Sequence, residues 1–221
     1  MLEALAVVAG KRFDVLDLGC GTGSLSERIL RRFPQARSVL VDHDPVLLAI
    51  GRTGLGEQHG RLTWVDADLR RPDWFMSLPR RRFHVAVSTT ALHWLTAPEL
   101  ARLYARVAHL LPRGGWFLDG DHIAFPADSS HFQQASRSVA RHRAARIRLP
   151  DVGWDAWWRA VLRDPRLAAE AELHRIRYPH AHSETVSPDL EGHIRLLRRA
   201  GFREVHLIWA RWENRVLAAV R

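Results

Sequence analysis

The sequence has 221 residues but only one cysteine, and it contains little lysine, methionine or tyrosine. The single cysteine, Cys20, cannot form an internal disulfide, so the sequence predicts a cytoplasmic protein. No apolar run is long enough to cross a membrane, and a membrane partner is therefore not expected. Residues 1–10 are apolar but contain Glu3 and no basic leader, which predicts a short helix rather than a signal peptide.

Positive charge is plentiful, but it comes almost entirely from arginine. The formal net charge is +9, and Lys11 is the only lysine. Such a bias often reflects a GC-rich coding sequence and says nothing about ligands. The arginines are scattered except at 80–82 and 137–148, so a solvated surface is favoured over a nucleic-acid contact surface. Nucleic acid remains an alternative partner on the strength of the charge alone.

The most informative stretch is residues 15–23, which read VLDLGCGTG. Its apolar start predicts a strand buried on both faces. The glycines that follow permit positive φ and let a ligand approach bare backbone. A helix is predicted next, because Ser24 and Glu27 have the spacing of a capping box and an apolar face continues to Pro34.

Three kinds of glycine loop fit a strand–turn–helix unit. A phosphate-binding loop would have a lysine after Gly23, and a dinucleotide loop would have a third glycine at position 24, where Ser24 stands. The pattern D-x-G-x-G-x-G, from Asp17 to Gly23, resembles the first motif of the class I S-adenosylmethionine (SAM) dependent methyltransferases. An ordinary glycine turn in another α/β protein is the alternative.

The predicted strands follow the order expected for that family. They lie at 15–18, 38–41, 62–65, 83–87, 116–118, 205–209 and 216–220. The turn at 211–214 is too short for a crossover, so the last two strands must form an antiparallel hairpin. The expected fold is an α/β Rossmann-like, seven-stranded, mostly parallel sheet with an antiparallel last strand, helices on both faces and a helical insertion between strands five and six.

The resemblance implies a set of residues that bind SAM or its product S-adenosylhomocysteine. Asp42 would bind the ribose hydroxyls, whereas Asp44 precedes Pro45 and more plausibly caps a helix. Asp68 and Leu69 would contact adenine, with Asp66 as the alternative register and pairing to nearby arginines as the structural alternative. The full implied set is Asp17, Gly19, Gly21, Asp42, His43, Asp68, Leu69 and Ser88.

Two histidines are the candidate catalytic residues. Residues 88–94 resemble the S-x-x-A-L-H-W segment of small-molecule methyltransferases such as those like trans-aconitate methyltransferase, which makes His93 the candidate general base. A histidine packed against Trp94 fits the sequence equally well. His122 follows the next strand, and we expect both histidines to line one pocket. No metal is predicted, because His180 and His182 have no cysteine or acidic partner nearby.

The chain is predicted to be a single methyltransferase domain over residues 1–221. The core would comprise 11–123 and 187–221, and 127–186 would form a lid or substrate insertion. Three tryptophans in that insertion, Trp154, Trp157 and Trp158, would roof the acceptor pocket or pack in the core. Because few residues precede the first strand, we expect that the insertion alone covers the site, that a second subunit in a homo-oligomer helps, or that the chain is a trimmed member.

The expected reaction is the in-line transfer of a methyl group from SAM to a small organic acceptor. Two alternatives stay open: a SAM-binding module without catalysis, and an RNA or DNA methyltransferase. Against the second, residues 88–91 carry no N-P-P-Y-like tetrapeptide, which excludes one subclass of base methyltransferase. The acceptor atom is not predicted.

Overall fold

A computed structural model describes residues 1–146, 153–179 and 187–221. The strands are β1 Asp14–Leu18, β2 Arg37–Asp42, β3 Leu62–Asp66, β4 Val85–Thr89, β5 Trp116–His122, β6 Glu204–Arg211 and β7 Asn214–Val220. The helices are α1 Leu2–Val8, α2 Ser24–Arg32, α3 Pro45–Leu55, α4 Ala97–Leu110, α5 Ser130–Arg146, α6 Trp154–Val161, α7 Ala168–Arg177 and α8 Leu190–Arg199. Short 3₁₀ turns occur at Trp74–Ser77, Leu92–Trp94 and Pro165–Leu167.

All seven strands form one sheet in the order β3-β2-β1-β4-β5-β7-β6. The first five strands in this order, β3, β2, β1, β4 and β5, pair in parallel. Strand β7 pairs antiparallel with both β5 and β6. The strand order reverses beside β1, and in open parallel sheets a ligand crevice forms at such a switch point, outside the carboxyl ends of the strands. The predicted fold is therefore confirmed.

Alternate residues of each central strand enter two separate hydrophobic cores. In β1, Leu16 and Leu18 join the core that contains residues of α4 and α8, whereas Val15 joins the core of α1, α2 and α3. β5 divides in the same way, with Phe117 in the first core and Leu118 in the second. Because side chains alternate along a strand, the helices form a layer on each face of the sheet.

Local boundaries differ from the sequence prediction in three places. Ser24 forms no capping box, since α2 has Gly23 as its N-cap without a side-chain hydrogen bond. Ser187 followed by Pro188 predicts a capped helix start there, but the last helix begins at Leu190, because the Asp189 side chain accepts the hydrogen bond of the first turn. The fifth strand continues through His122, because β7 pairs with it along its whole length.

Helices α5, α6 and α7 lie between β5 and β6 in the chain, as predicted for the insertion. Helix α7 packs against α3. His180 and His182 lie outside the described residues. Within the described ranges, no helix combines the length and apolar character needed to cross a membrane.

Candidate cofactor and acceptor site

The glycine loop after β1 has the conformation that its sequence predicts. Gly19, Gly21 and Gly23 have φ values of 65°, 55° and 82°. A Cβ on Gly19 would lie 2.3 Å from the Cβ of Ala91, so the loop and the turn after β4 touch there. Among the described residues, the atom nearest to a Cβ on Gly21 would be the Leu47 Cδ1 at 3.9 Å, which leaves space for a ligand beside the Gly21 Cα.

Asp42 ties this loop to the end of β2. Its carboxylate accepts hydrogen bonds from the backbone N–H of Gly21 at 2.7 Å, of His43 at 2.7 Å and of Asp44 at 2.8 Å. Burial raises the pKa of Asp42, and the three N–H groups partly offset that rise. An ionised carboxylate has about four acceptor positions, so three N–H groups leave Asp42 with capacity for a further donor.

Asp17 and Ser88 have side chains that are hydrogen-bonded within the sheet and helix layers. The Ser26 hydroxyl of α2 donates to Asp17 at 2.6 Å and lies 2.7 Å from the hydroxyl of Ser38. Burial dominates here and raises the pKa of Asp17 to about 7. Ser88 donates to the Leu18 carbonyl at 2.8 Å. Cofactor contacts of these two residues stay a prediction.

Asp68, which follows β3, already has an arginine partner. Asp68 accepts two hydrogen bonds of 2.8 Å from the Arg70 guanidinium. Burial alone would raise the pKa of Asp68, but the bonds from Arg70 outweigh it and lower that pKa. Leu69, the other adenine candidate, is partly buried and packs against the core. The alternative of an acid–arginine pair therefore describes the Asp68 side chain in this structure.

Helix α7 of the insertion lies over the ends of β2 and β3. His174 Nδ1 lies 2.8 Å from Asp44, the residue that caps α3 as predicted. Arg177 donates to the His43 carbonyl at 2.6 Å and to both oxygens of Asp66 at 2.9 Å. The insertion thus covers the edge of the sheet where Asp42 lies.

The insertion tryptophans pack with α7. Trp154, Trp157 and Trp158 contact one another, and Trp158 stacks on His174 with ring centroids 4.8 Å apart. Among the ring contacts between described residues, none joins these tryptophans to His93 or His122. Their predicted role as a roof over the acceptor pocket stays a prediction.

His93 and His122 lie close together, with ring centroids 6.0 Å apart, and that they line one acceptor pocket stays a prediction. Between them is Asp121, a buried residue of β5. The Asp121 carboxylate lies 2.6 Å from His93 Nδ1 and accepts the backbone N–H groups of His93 at 3.0 Å and of His122 at 2.7 Å. The fifth strand was predicted only over 116–118, so Asp121 fell beyond it and its pairing with His93 was not predicted.

A second buried acid lies two residues earlier on the same face of β5. Asp119 is fully buried, and neither of its carboxyl oxygens has a hydrogen-bond partner among the described residues. Burial raises the pKa of Asp119 well above its usual value, and the charge of Asp121 adds to the rise. Behind these acids, the Tyr104 hydroxyl of α4 lies 2.7 Å from His193 Nδ1 of α8.

Residues 15–115 match a protein family described as a methyltransferase domain. Trans-aconitate 2-methyltransferase of Mycobacterium ulcerans is 33% identical over 134 residues, which cover 60% of this chain and 43% of that protein. Malonyl-[acyl-carrier protein] O-methyltransferase of Geobacter sulfurreducens is 30% identical over 191 residues, which cover 85% and 65%. The chain spans about half the length of the trans-aconitate 2-methyltransferases that it matches.

Solved structures share the fold. An O-methyltransferase family protein from Burkholderia thailandensis aligns with a TM-score of 0.64 and 21% identity over 100% of this chain and 54% of that chain. Human N-acetylserotonin methyltransferase, solved in complex with SAM, aligns with a TM-score of 0.60 and 15% identity over 100% and 50%. The strand order and these likenesses define a Rossmann-like fold.

Together with the family match over residues 15–115 and the D-x-G-x-G-x-G loop, they make this chain similar to the class I SAM-dependent methyltransferases.

Proposed function

We propose that the protein binds SAM across the carboxyl ends of β1, β2 and β4 and transfers its methyl group to a small organic acceptor. The observation that carries the proposal is Asp42, whose carboxylate holds the glycine loop and has acceptor capacity left for a ribose hydroxyl. The open backbone at Gly21 supports the fit, because the methionine end of the cofactor can approach it closely.

The acceptor class is suggested by the names of two relatives. Trans-aconitate and the malonyl group are both carboxylic acids, and one relative is named an O-methyltransferase. We therefore propose that carboxylic acids are the first acceptors to test. Transfer to RNA or DNA stays the alternative that the net charge allows, and a SAM-binding module without catalysis stays the second.

When bound, SAM supplies a methyl group on a positively charged sulfur. The residues of this chain then have to align the acceptor with that methyl group and exclude water. Alignment alone can lower a barrier by roughly 7–11 kcal/mol. His93 would take a proton from an acceptor that must lose one, whereas a carboxylate has none to lose and would use His93 and His122 for binding.

The proposal is tested with the full chain and two measurements. Calorimetry with SAM should show saturable binding, and radiolabelled SAM should transfer its methyl group to a member of a panel of carboxylic acids, phenols, amines and a structured RNA. Binding without any transfer would favour the non-catalytic module, and transfer to RNA would favour the nucleic-acid alternative. Absence of SAM binding would contradict the proposal outright. A cytoplasmic location and a homo-oligomer stay predictions.

A further inference from the structure

We propose that Asp121 is a positioning residue that holds the His93 imidazole with Nδ1 toward β5 and leaves Nε2 as the ring nitrogen that faces an acceptor. The inference rests on the proposed function for its catalytic meaning, but the ring orientation can be measured without it.

Three donors converge on the Asp121 carboxylate, and they use both of its oxygens. One oxygen accepts the His93 backbone N–H at 3.0 Å, and the other lies 2.7 Å from the His122 backbone nitrogen and 2.6 Å from His93 Nδ1. The two backbone bonds come from the strand end and from the turn after β4, so they fix the carboxylate relative to both elements. A carboxylate so oriented can only accept, and His93 must carry its hydrogen on Nδ1 to donate to it.

The surroundings of His93 reinforce one orientation. Its side chain is 23% exposed, whereas that of Asp121 is 1% exposed, so the pair has a buried side and an open side. The Trp94 ring lies 4.7 Å away between centroids. A hydrogen bond made by one ring nitrogen fixes the tautomer, and thereby the chemistry, of the other.

Asp119 differs from Asp121, the acid that contacts His93. The two acids are two residues apart on one face of β5, and the groups near them are His93 from the turn, Tyr104 from α4 and His193 from α8. Two close carboxyl groups do not readily ionise together. Within the described part of the chain, Asp119 has no donor to stabilise an anion. We infer that Asp119 keeps its proton, whereas Asp121 is the carboxyl group on which three donors converge.

The proton balance of the proposed step is then simple. As the acceptor oxygen or nitrogen forms its bond to the methyl carbon, the electron pair of the breaking carbon–sulfur bond returns to the sulfur. The acceptor proton passes to His93 Nε2, and the resulting imidazolium is stabilised by the Asp121 carboxylate through Nδ1–H. Water takes the proton from Nε2 after product release.

The test compares Asp121→Asn with the matched control Asp119→Asn by nitrogen-15 NMR of the histidine rings in the full chain. In the parent protein at neutral to alkaline pH, His93 should show hydrogen on Nδ1 and none on Nε2. In D121N, the amide NH₂ must face a backbone N–H at one oxygen position or the other, so the three-donor arrangement cannot form and the His93 tautomer should change. D119N replaces a neutral carboxyl by a neutral amide of equal shape, and the His93 signals should stay unchanged.

Turnover of a proton-bearing acceptor, a phenol or an amine from the panel, should fall roughly 10²–10⁴-fold in D121N with unchanged SAM affinity, as for loss of a general base. Asp121→Ala is a second variant in case the asparagine variant fails to fold. A His93 tautomer that is the same in the parent and in whichever Asp121 variant folds overturns the proposal. If SAM fails to bind while the tautomer shifts as expected, the proposed function fails and the positioning role of Asp121 stands.

Discussion

Acidic residues lie near the carboxyl ends of β2 and β3 and near that of β5, and their hydrogen bonding differs between these two regions. At the ends of β2 and β3, Asp42, Asp66 and Asp68 each accept hydrogen bonds from backbone N–H groups or from an arginine. At the end of β5, Asp121 has three donors, whereas Asp119, two residues away, has none among the described residues. In the first region each acid has its own donors. In the second region the donors converge on one acid, Asp121, which contacts His93.

The difference extends to protonation. Bonds from Arg70 outweigh burial at Asp68 and lower its pKa, while burial raises the pKa of Asp119, for which the described residues offer no donor. The formal net charge of +9 counts both acids as ionised. A sequence therefore gives the number of acids at a sheet edge but not the number of charges there, since that number depends on donors brought in by the fold.

The largest effect should come from the β5 end. We predict that His93→Ala leaves SAM affinity nearly unchanged and lowers turnover of a phenol, amine or alcohol by roughly 10²–10⁴-fold, because a general base is lost. For a carboxylate acceptor, the loss should appear as a higher KM instead. Initial rates over a range of acceptor concentrations separate the two cases. Full activity with every acceptor would reduce His93 to a packing residue and remove the functional contrast between the two ends.

The second prediction concerns the β2 end. Asp42→Ala removes the acceptor of the Gly21 N–H and the expected partner of the ribose. Loss of a charged hydrogen-bond acceptor typically weakens binding by about 1.5–3 kcal/mol, or roughly 10–150-fold in SAM affinity. Calorimetry on the folded variant measures it, and Asp73→Ala, an exposed acid paired with Arg71, is the control. Equal SAM affinities for the parent and for D42A would contradict the assignment.

The β2 end could be predicted from the sequence because its interactions are local. Asp42 lies about twenty residues beyond the glycine loop, as the motif requires, and Asp44 caps α3 within its own turn. The covering of this edge by Arg177 could not be predicted, because that residue comes from an insertion 111 residues after Asp66. Its position depends on how α7 packs against α3, which no local pattern specifies.

The β5 end was predicted only in outline. The pairing of His93 with Asp121 joins residues 28 apart, and it exists because β5 extends beyond its apolar part to His122. The polar sequence D-G-D-H suggested that the strand had ended. Its alternation with Phe117 is the signal that could have revealed it, since Asp119 and Asp121 share the face of that buried ring.

A third prediction separates two buried titrating groups behind these regions, His193 of α8 and Asp17 of β1. Burial lowers the pKa of His193 to about 4, below the value near 6.5 expected in the unfolded chain. The unfolded state therefore binds the proton more tightly, and His193 should remove stability as the pH falls from about 6.5 to 4, by at most about 3 kcal/mol. Asp17 acts in the opposite direction. Burial raises its pKa to about 7, so the folded state binds the proton more tightly than the unfolded state does, and this group adds stability as the pH falls below about 7.

His193→Gln isolates the first of these effects, since glutamine does not titrate. Urea unfolding at pH 7 and pH 5 should show that the variant loses less stability at the lower pH than the parent does, or gains more. Asp17→Asn should change the pH dependence the other way. If the parent and H193Q keep the same difference in free energy of unfolding at both pH values, His193 is not the titrating group.

The smallest effect is expected at the insertion. Arg177 pairs with Asp66 and donates to the His43 carbonyl, but both side chains of the pair are partly exposed, at 24% and 39%. Pairs of this kind contribute about 0.2–1 kcal/mol, so Arg177→Gln should weaken SAM binding by no more than about fivefold. The mechanism is indirect, because Arg177 holds α7 over the edge that carries Asp42 and need not contact the cofactor.

Two features distinguish this indirect role of Arg177 from direct binding. The loss of SAM affinity should shrink as salt screens the Arg177–Asp66 pair in the parent. Arg175→Gln, which removes a pair within α7 itself, should leave SAM affinity unchanged. A large, salt-independent loss in R177Q would instead make Arg177 a direct ligand of SAM, and the β2 end would then depend on the insertion as strongly as the β5 end depends on Asp121.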